Sequence, residues 1–268
     1  MEPSKLEFLV LDGHGTIEIP ETLLKLRNLR IRKHAQFSES FIRCVIVEKD
    51  VQMSSLESIS NLRIVHENDE KILKCLPSLC RLKCETRPLW DSIERCRRYL
   101  VLDYLTRLES LHISGLDSEF KYPDTINFPA SLKKLTLREF KLSSIEMSMI
   151  GRLPRLEVLK LLYTWFDGKE WKTNEDEFQE LKFLKLEALQ IHRWNMLSEH
   201  FPKLEQLVIQ KCWKLKKFPS SLGDISTLQS IDIHSCRKFV ADSALQIQKE
   251  QLEMGNEELK LNISGSCW

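Results

Sequence analysis

An α/β repeat solenoid is the fold class this sequence predicts: short parallel strands forming the concave sheet of an arc, with mostly irregular or short helical segments on its convex side. Three observations predict it. The phrase LxxLxL recurs along the chain, its spacing is nearly constant after residue 108, and most segments between phrases carry a proline shortly before the next one.

The phrase reads LESLHI, LKKLTL, LEVLKL, LKFLKL, LEQLVI and LQSIDI, with first positions at Leu108, Leu132, Leu156, Leu181, Leu204 and Leu228. Successive spacings of 24, 24, 25, 23 and 24 residues fall inside the roughly 20 to 29 residues of a leucine-rich repeat. Upstream, LEFLVL from Leu6, LRNLRI from Leu26, ISNLRI from Ile59 and LCRLKC from Leu79 repeat it at looser intervals. FIRCVI from Phe41 is a further strand candidate between unusually close neighbours. The expected organisation is therefore leucine-rich repeats over 1–239, irregular before 108 and regular at about 24 residues after it, followed by a helix-strand cap over 240–268.

The spacing has a physical cause. Alternation along a short strand points the fourth and sixth residues inward, and the first anchors the preceding bend in the same core. Return segments such as FPASLKKL, GRLPRLEVL and HFPKLEQL use proline to fix φ at a turn. Cys212 and Cys236 share one phase, three residues past Ile209 and Ile233, where a small buried thiol fills the bend and interacts weakly with loop backbone. ADSALQIQKEQLEMG predicts a helix from Ser243 to Met254 stopped by Gly255, and LKLNI one more strand. No matching cap precedes Leu6, which implies a missing or separate N-terminal partner.

Composition narrows the function. Of 268 residues, 42% are hydrophobic and 29% charged, enough apolar surface for a folded core. Forty Lys and Arg face 39 Asp and Glu, so no excess charge points to nucleic acid or an anionic membrane. The sequence shows no apolar run of spanning length and no signal peptide, which predicts a cytoplasmic protein, with the nucleus or a membrane reached through partners also open. Eight cysteines without a CxxC pair predict reduced thiols. Asn262-Ile263-Ser264 matches a glycosylation acceptor, but nothing else supports a secretory route.

With the repeat phase fixed, the residue between the fourth and sixth positions faces outward from the concave sheet. That column reads Val10, Arg30, Arg63, Lys83, His112, Thr136, Lys160, Lys185, Val208 and Asp232, with Lys134 and Arg138 in flanking columns. Stacked like charges on a sheet gain from meeting carboxylates, so the expected partner-binding stripe is Arg30, Arg63, Lys83, Lys134, Arg138, Lys160 and Lys185. The alternative is that the cations splay into water while Glu109, Glu157, Glu187 and Glu205 neutralise them from the side.

Tyr163, Trp165 and Trp171 form a second candidate contact, with Phe166 expected to pack inward and Trp171 to stay more open. Trp194 and Trp213 follow strands and are expected to pack as Phe166 does. None of the seven histidines lies at a recognisable spacing from a nucleophile or carboxylate, so no catalytic residue, metal ligand or cofactor is assigned.

Residues 156 to 263, through LEVLKLLYTWFDGKEW, FQELKFLKLEALQIHRWN, HFPKLEQLVIQKCWKLKKFPSSLG and DISTLQSIDIHSC, resemble the C-terminal repeats of plant disease-resistance receptors. The resemblance is to the late-blight-resistance-like group of solanaceous coiled-coil nucleotide-binding receptors, and it extends more weakly through IEIPETLLKLRNLRI and KILKCLPSLCRLKC. It implies an innate-immunity module that helps hold a nucleotide-binding switch domain inactive and helps recognise a pathogen effector or its host target. A phosphate loop and an N-terminal coiled coil are not found, so nucleotide chemistry does not carry over. A fragment, a truncated product and a separately encoded repeat protein all fit. Two rival functions stay open: the substrate-binding repeats of a ubiquitin-ligase adaptor, and a nucleic-acid binder using the basic stripe.

Overall fold

The computed structural model describes residues 8–11, 17–19, 28–37, 56–64, 72–86, 100–115 and 126–265. The strand candidate FIRCVI lies outside them. The chain divides into two compact units, Met1–Leu132 and Lys133–Trp268, each a parallel leucine-rich-repeat solenoid.

In the first unit the strands are β1 (Phe8–Leu11), β2 (Ile17–Ile19), β3 (Asn28–Phe37), β4 (Ser58–Ile64), β5 (Arg81–Thr86), β6 (Leu100–Val101), β7 (Ser110–Gly115) and β8 (Ile126–Asn127). They pair in parallel, β1–β3–β4–β5–β7, with β2 also on β3 and β6 on β8. Leu29, Ile59, Leu82 and Leu111 share one register and are all buried. Their side chains are the rungs that hold these repeats together.

The register corrects the phase read from ISNLRI. Ile59 pairs with Leu82, so it occupies the fourth position and Leu56 the first. The strand-entry hydrogen bonds agree: Cys80 and Arg81 N–H donate to Glu57 O at 2.8 and 3.0 Å, as Glu109 and Ser110 N–H donate to Cys80 O at 2.9 and 3.0 Å. Leu56 to Leu79 is then a regular spacing of 23 residues. The next inward residue is Leu62, paired with Cys84, three positions on rather than two. The register slips between Ile59 and Leu62, where Asn61 adopts a left-handed φ of 59°. An inserted residue of this kind keeps both apolar side chains inward while displacing everything after it.

In the second unit the strands are β9 (Lys134–Arg138), β10 (Lys141–Leu142), β11 (Val158–Leu162), β12 (Trp165–Phe166), β13 (Glu170–Lys172), β14 (Phe183–Glu187), β15 (Arg193–Asn195), β16 (Gln206–Gln210), β17 (Ser230–His234) and β18 (Lys260–Ser264). The main sheet runs β9–β11–β14–β16–β17–β18 without a slip. Leu135, Leu159, Leu184, Leu207 and Ile231 form one inward column and Leu137, Leu161, Leu186, Ile209 and Ile233 the next, all fully buried.

Each strand then turns on a left-handed residue. Glu139, Tyr163, Ala188, Lys211 and Ser235 have φ of 60°, 54°, 54°, 52° and 51°. Their N–H groups donate across to Leu162, Glu187, Gln210, His234 and Ser264 carbonyls at 2.9, 2.7, 2.8, 2.9 and 2.9 Å. The next residue points back into the core as Phe140, Thr164, Leu189, Cys212 and Cys236, all buried. Cys212 donates to Leu186 and Gln210 O at 3.5 Å, and Cys236 to His234 O at 3.5 Å and Ile209 O at 3.7 Å. The thiols therefore fill the bend and touch loop backbone, as their phase predicts.

The return segments carry their own small sheets, β10 on β12 and β13 on β15. Helix α1 (Ser144–Gly151) is set by a capping box: Ser143 Oγ accepts from Glu146 N–H at 3.3 Å and Glu146 Oε2 accepts from Ser143 N–H at 2.7 Å. The later helix, α2 (Lys238–Glu253), starts five residues before the expected Ser243. Ser243 is not a cap; its Oγ donates to Val240 O at 2.8 Å and accepts from Phe218 N–H at 2.9 Å. Val240, Ala241, Ala244 and Ile247 form the buried face that recruits the extra turn. Gly255, at φ 87°, stops the helix as predicted, with Gly255 N–H donating to Leu252 O at 3.0 Å and Asn256 N–H to Gln251 O at 2.9 Å.

Candidate protein-interaction site

The outward residues of the second unit's sheet align strand by strand. Thr136 lies beside Lys160, Lys160 beside Lys185, Lys185 beside Val208, Val208 beside Asp232, and Asp232 beside Asn262. Lys134 opposes Val158, and Arg138 opposes Leu162, in the columns on either side. The sequence-derived positions of Lys134, Arg138, Lys160 and Lys185 are thus those of the sheet.

These cations are not bare. Lys185 Nζ bonds Glu187 Oε2 at 2.9 Å, with the two side chains 25% and 13% exposed. Arg138 bonds Glu139 at 3.2 Å and stacks its guanidinium 4.9 Å from the Tyr163 ring centroid. Lys160 lies 5.4 Å from the Phe183 ring centroid. Burial pushes the Glu187 carboxyl up, but hydrogen bonds from Lys185 and Tyr163, with the charges of Lys185 and Lys211, outweigh it and hold the pKa below its ordinary value. The neutralising role expected of Glu187 is physically in place. Glu157 instead reaches Lys182, at 3.9 Å.

In the first unit, Val10 lies beside Arg30, Arg30 beside Ser60, and Lys83 beside His112. Arg63 leaves the column. The slip in β4 sets it opposite Glu85, so a cation expected in the stripe faces a carboxylate-bearing position on the neighbouring strand. Lys83 is exposed.

The aromatic candidates separate. Tyr163 sits at the sheet rim, half-buried between Arg138 and Glu187. Trp165, on β12, is 36% exposed, and Phe166 beside it packs inward as expected. Trp171, expected to be the open one, is 1% exposed. Register on β13–β15 sets it face to face with Trp194, centroids 5.0 Å apart and planes 5° from parallel. Phe178 and Phe201 form a second stacked pair at 5.0 Å, edge-on to the first. Trp194 packs as expected; Trp213 does not, being 40% exposed.

His200 and Glu177 are buried polar groups with structural partners. His200 Nδ1 lies 2.7 Å from Thr173 Oγ1, and Glu177 accepts from the Asn174 backbone and side chain at 2.9 and 2.8 Å. Among the described residues no group of three or more His, Cys, Asp or Glu is placed to hold a metal ion, and no helix is long and apolar enough to cross a membrane.

A groove on the return side of the second unit, lined by Arg193, Lys216, Lys217 and Arg237, is not among the sequence-derived candidates. The cue lay in KLKK and CRK, basic runs just past the Cys212 and Cys236 bends, which the outward column does not include.

The sequence matches no protein-family model. Curated proteins of Solanum demissum do match: late blight resistance protein homologue R1B-23, 35% identical over 261 residues, covers 92% of this chain. This chain is a leucine-rich-repeat relative of the late blight resistance proteins. Late blight resistance protein R1-A is 37% identical over 245 residues, 89% of this chain, and homologue R1B-16 is 34% identical over 269 residues, 97% of it. The matched region is 20%, 18% and 20% of those three proteins, so the chain spans about a fifth of the late blight resistance relatives' length. Among solved structures, the crystal structure of a TLR13-ssRNA13 complex matches with TM-score 0.43 and 19% identity, over 96% of this chain and 35% of that one.

Proposed function

We propose that this late-blight-resistance relative is a non-catalytic protein-recognition module of plant defence that docks an acidic protein surface on the open face of its sheet. The carrying observation is the adjacency of Lys160 and Lys185 on neighbouring strands, between Thr136 and Val208, with no carboxylate in that column before Asp232. Two stacked ammonium groups favour a partner that brings carboxylates, and the counter-charges on this face come from its rim.

The partner proposed for autoinhibition is a nucleotide-binding switch domain; for recognition it is a pathogen effector or its host target. Both readings are intracellular and need neither a cofactor nor a metal. Helix α2 and strand β18 are proposed as a cover for the repeat that precedes them: Val240, Ala244 and Ile247 pack inward, and β18 continues the sheet beside β17.

The test is co-precipitation with the nucleotide-binding region of a related receptor, comparing the wild type with Lys160→Glu/Lys185→Glu. Loss of capture with unchanged circular dichroism is the expected result. Capture undiminished by the double reversal would remove the sheet face from the docking surface. Arg30→Glu/Lys83→Glu, made separately, reports on the first unit in the same assay.

A further inference from the structure

The groove on the return side has three walls, each tied to the next. Strand β15 with Met196 and Leu197 forms one, Lys216–Ser221 the second, and α2 from Phe239 to Glu250 the third. Lys216 N–H donates to His192 O at 3.2 Å, Ser221 Oγ to Met196 O at 2.8 Å, and Phe218 N–H to Ser243 Oγ at 2.9 Å. The groove, about 1050 Å³, is thus built by the fold and needs no partner to assemble it.

Its charge is one-sided. Arg193, Lys216, Lys217 and Arg237 are exposed along it, and the only carboxylate lining it is Glu250. Arg193 shares Glu170, at 4.0 Å, with Lys172. Lys216, Lys217 and Arg237 make no ion pair among the described residues. Partial burial and the charges of Lys169, Lys214, Lys216 and Arg237 hold the His192 imidazole below its usual range, a local sign of the same uncompensated field. The start of α2 adds to it: Arg237 is the N-cap, Lys238 follows, and the first turn has neither an acidic residue nor a side-chain cap. Cations at a helix N-terminus oppose its dipole, an arrangement that an incoming carboxylate relieves.

Apolar surface lies within the same groove. Phe239 is 68% and Leu197 53% exposed, over a floor that includes buried Met196 and Phe218. We propose that this groove binds an acidic peptide segment of a partner protein, its carboxylates on Arg193, Lys216, Lys217 and Arg237 and an apolar side chain between Leu197 and Phe239. A nucleic-acid strand fits less well. It gains affinity from several aromatic faces on which successive bases stack, and here Phe239 is the one exposed aromatic ring lining the groove, the Trp194 ring lying face to face with Trp171 at 3% exposure. This surface is separate from the sheet face, so either proposal can fail alone.

The experiment is fluorescence anisotropy on the full chain with a labelled short peptide alternating glutamate with leucine and phenylalanine, beside a lysine counterpart and single-stranded oligothymidine. The glutamate peptide is expected to bind, to weaken with rising salt, and to lose about tenfold or more in affinity in Lys216→Glu/Lys217→Glu/Arg237→Glu. Phe239→Ala is expected to weaken it while leaving the salt dependence in place. Lys160→Glu/Lys185→Glu is expected to leave it unchanged. Absence of peptide binding, equal binding by the triple variant, or tighter binding of oligothymidine than of the peptide each overturns the proposal. Because all substituted positions in the groove are exposed, unchanged circular dichroism should accompany every groove variant.

Discussion

Within residues 133–265, the strand side and the return side of each repeat are held by different means. On the strand side, the inward positions of β9, β11, β14, β16 and β17 are all leucine or isoleucine and all fully buried. Neighbouring rungs are interchangeable in chemistry. On the return side the repeats differ: the one after β9 carries a capping box, the one after β11 stacks Trp171 on Trp194 of the next and joins Thr173 to its buried His200, and the one after β17 carries α2. The contrast teaches that periodicity fixes the scaffold, whereas individuality, and with it the basic groove, collects where the period imposes least.

The largest expected effect breaks this comparison on its irregular side. Trp171→Ala removes one face of the indole stack and two edge contacts, and is expected to cost about 3–5 kcal/mol in urea unfolding. Trp171→Phe is expected to cost much less. The Trp171 Nε1 is buried with no hydrogen-bond partner, so its removal recovers part of what the lost ring area gives up. Both variants remove that N–H and differ only in the ring that phenylalanine keeps, so equal losses would mean that a smaller ring at this position recovers none of the stacking. A strand-side rung, Leu184→Ala, is expected to cost about 2–5 kcal/mol, so a single off-period aromatic is expected to matter as much as a rung of the repeat.

A middling effect separates the thiols by position. Burial pushes Cys84 and Cys212 up to about 12, and Cys75 up by a smaller amount. Since thiolate is the nucleophile, Cys84 and Cys212 are expected to resist iodoacetamide at neutral pH until the chain is unfolded, while half-buried Cys75 and Cys80 are modified before them. Mass spectrometry of peptides from briefly treated protein checks the order. Early labelling of Cys212 would show that the bend opens in the native state.

What could be read from sequence follows the same division. Leucine spacing after residue 108 placed β7, β9, β11, β14, β16 and β17 because alternation and burial on one face act together there. It misplaced the unit at Ile59 because Leu56, Ile59 and Leu62 are all apolar and all buried, so the pattern fits two phases and only the slip at Asn61 chooses between them. Arg63 left the expected stripe for that reason. Trp171 was misjudged because its burial depends on Trp194, 23 residues away, through a two-stranded pairing with no periodic signature. The capping box of α1 is legible in the sequence as Ser143-x-x-Glu146, a local signal independent of the repeat. Of the candidate site, Lys160 and Lys185 were legible as neighbours and Glu187 as a counter-charge, but the part of Tyr163 was not, since it reaches Glu187 only through the left-handed turn that ends β11.

The smallest expected effect tests the boundary where strand becomes return. Ala188 holds φ at 54° so that its N–H can donate to Gln210 O at 2.8 Å. A left-handed conformation costs a residue with a Cβ roughly 1–2 kcal/mol. Glycine removes that cost but adds freedom to the unfolded chain, worth about 0.4–1 kcal/mol. The first effect is the larger, so Ala188→Gly is expected to stabilise by about 0.5 kcal/mol, seen as a small rise in the thermal midpoint. Ala244→Gly, inside α2 where φ is helical, is expected to lower stability by about 1 kcal/mol. A loss at both positions would mean that the turn ladder carries no left-handed strain; a gain at Ala188 alone would show that each turn holds its residue there against local preference, through the hydrogen bond to the next repeat.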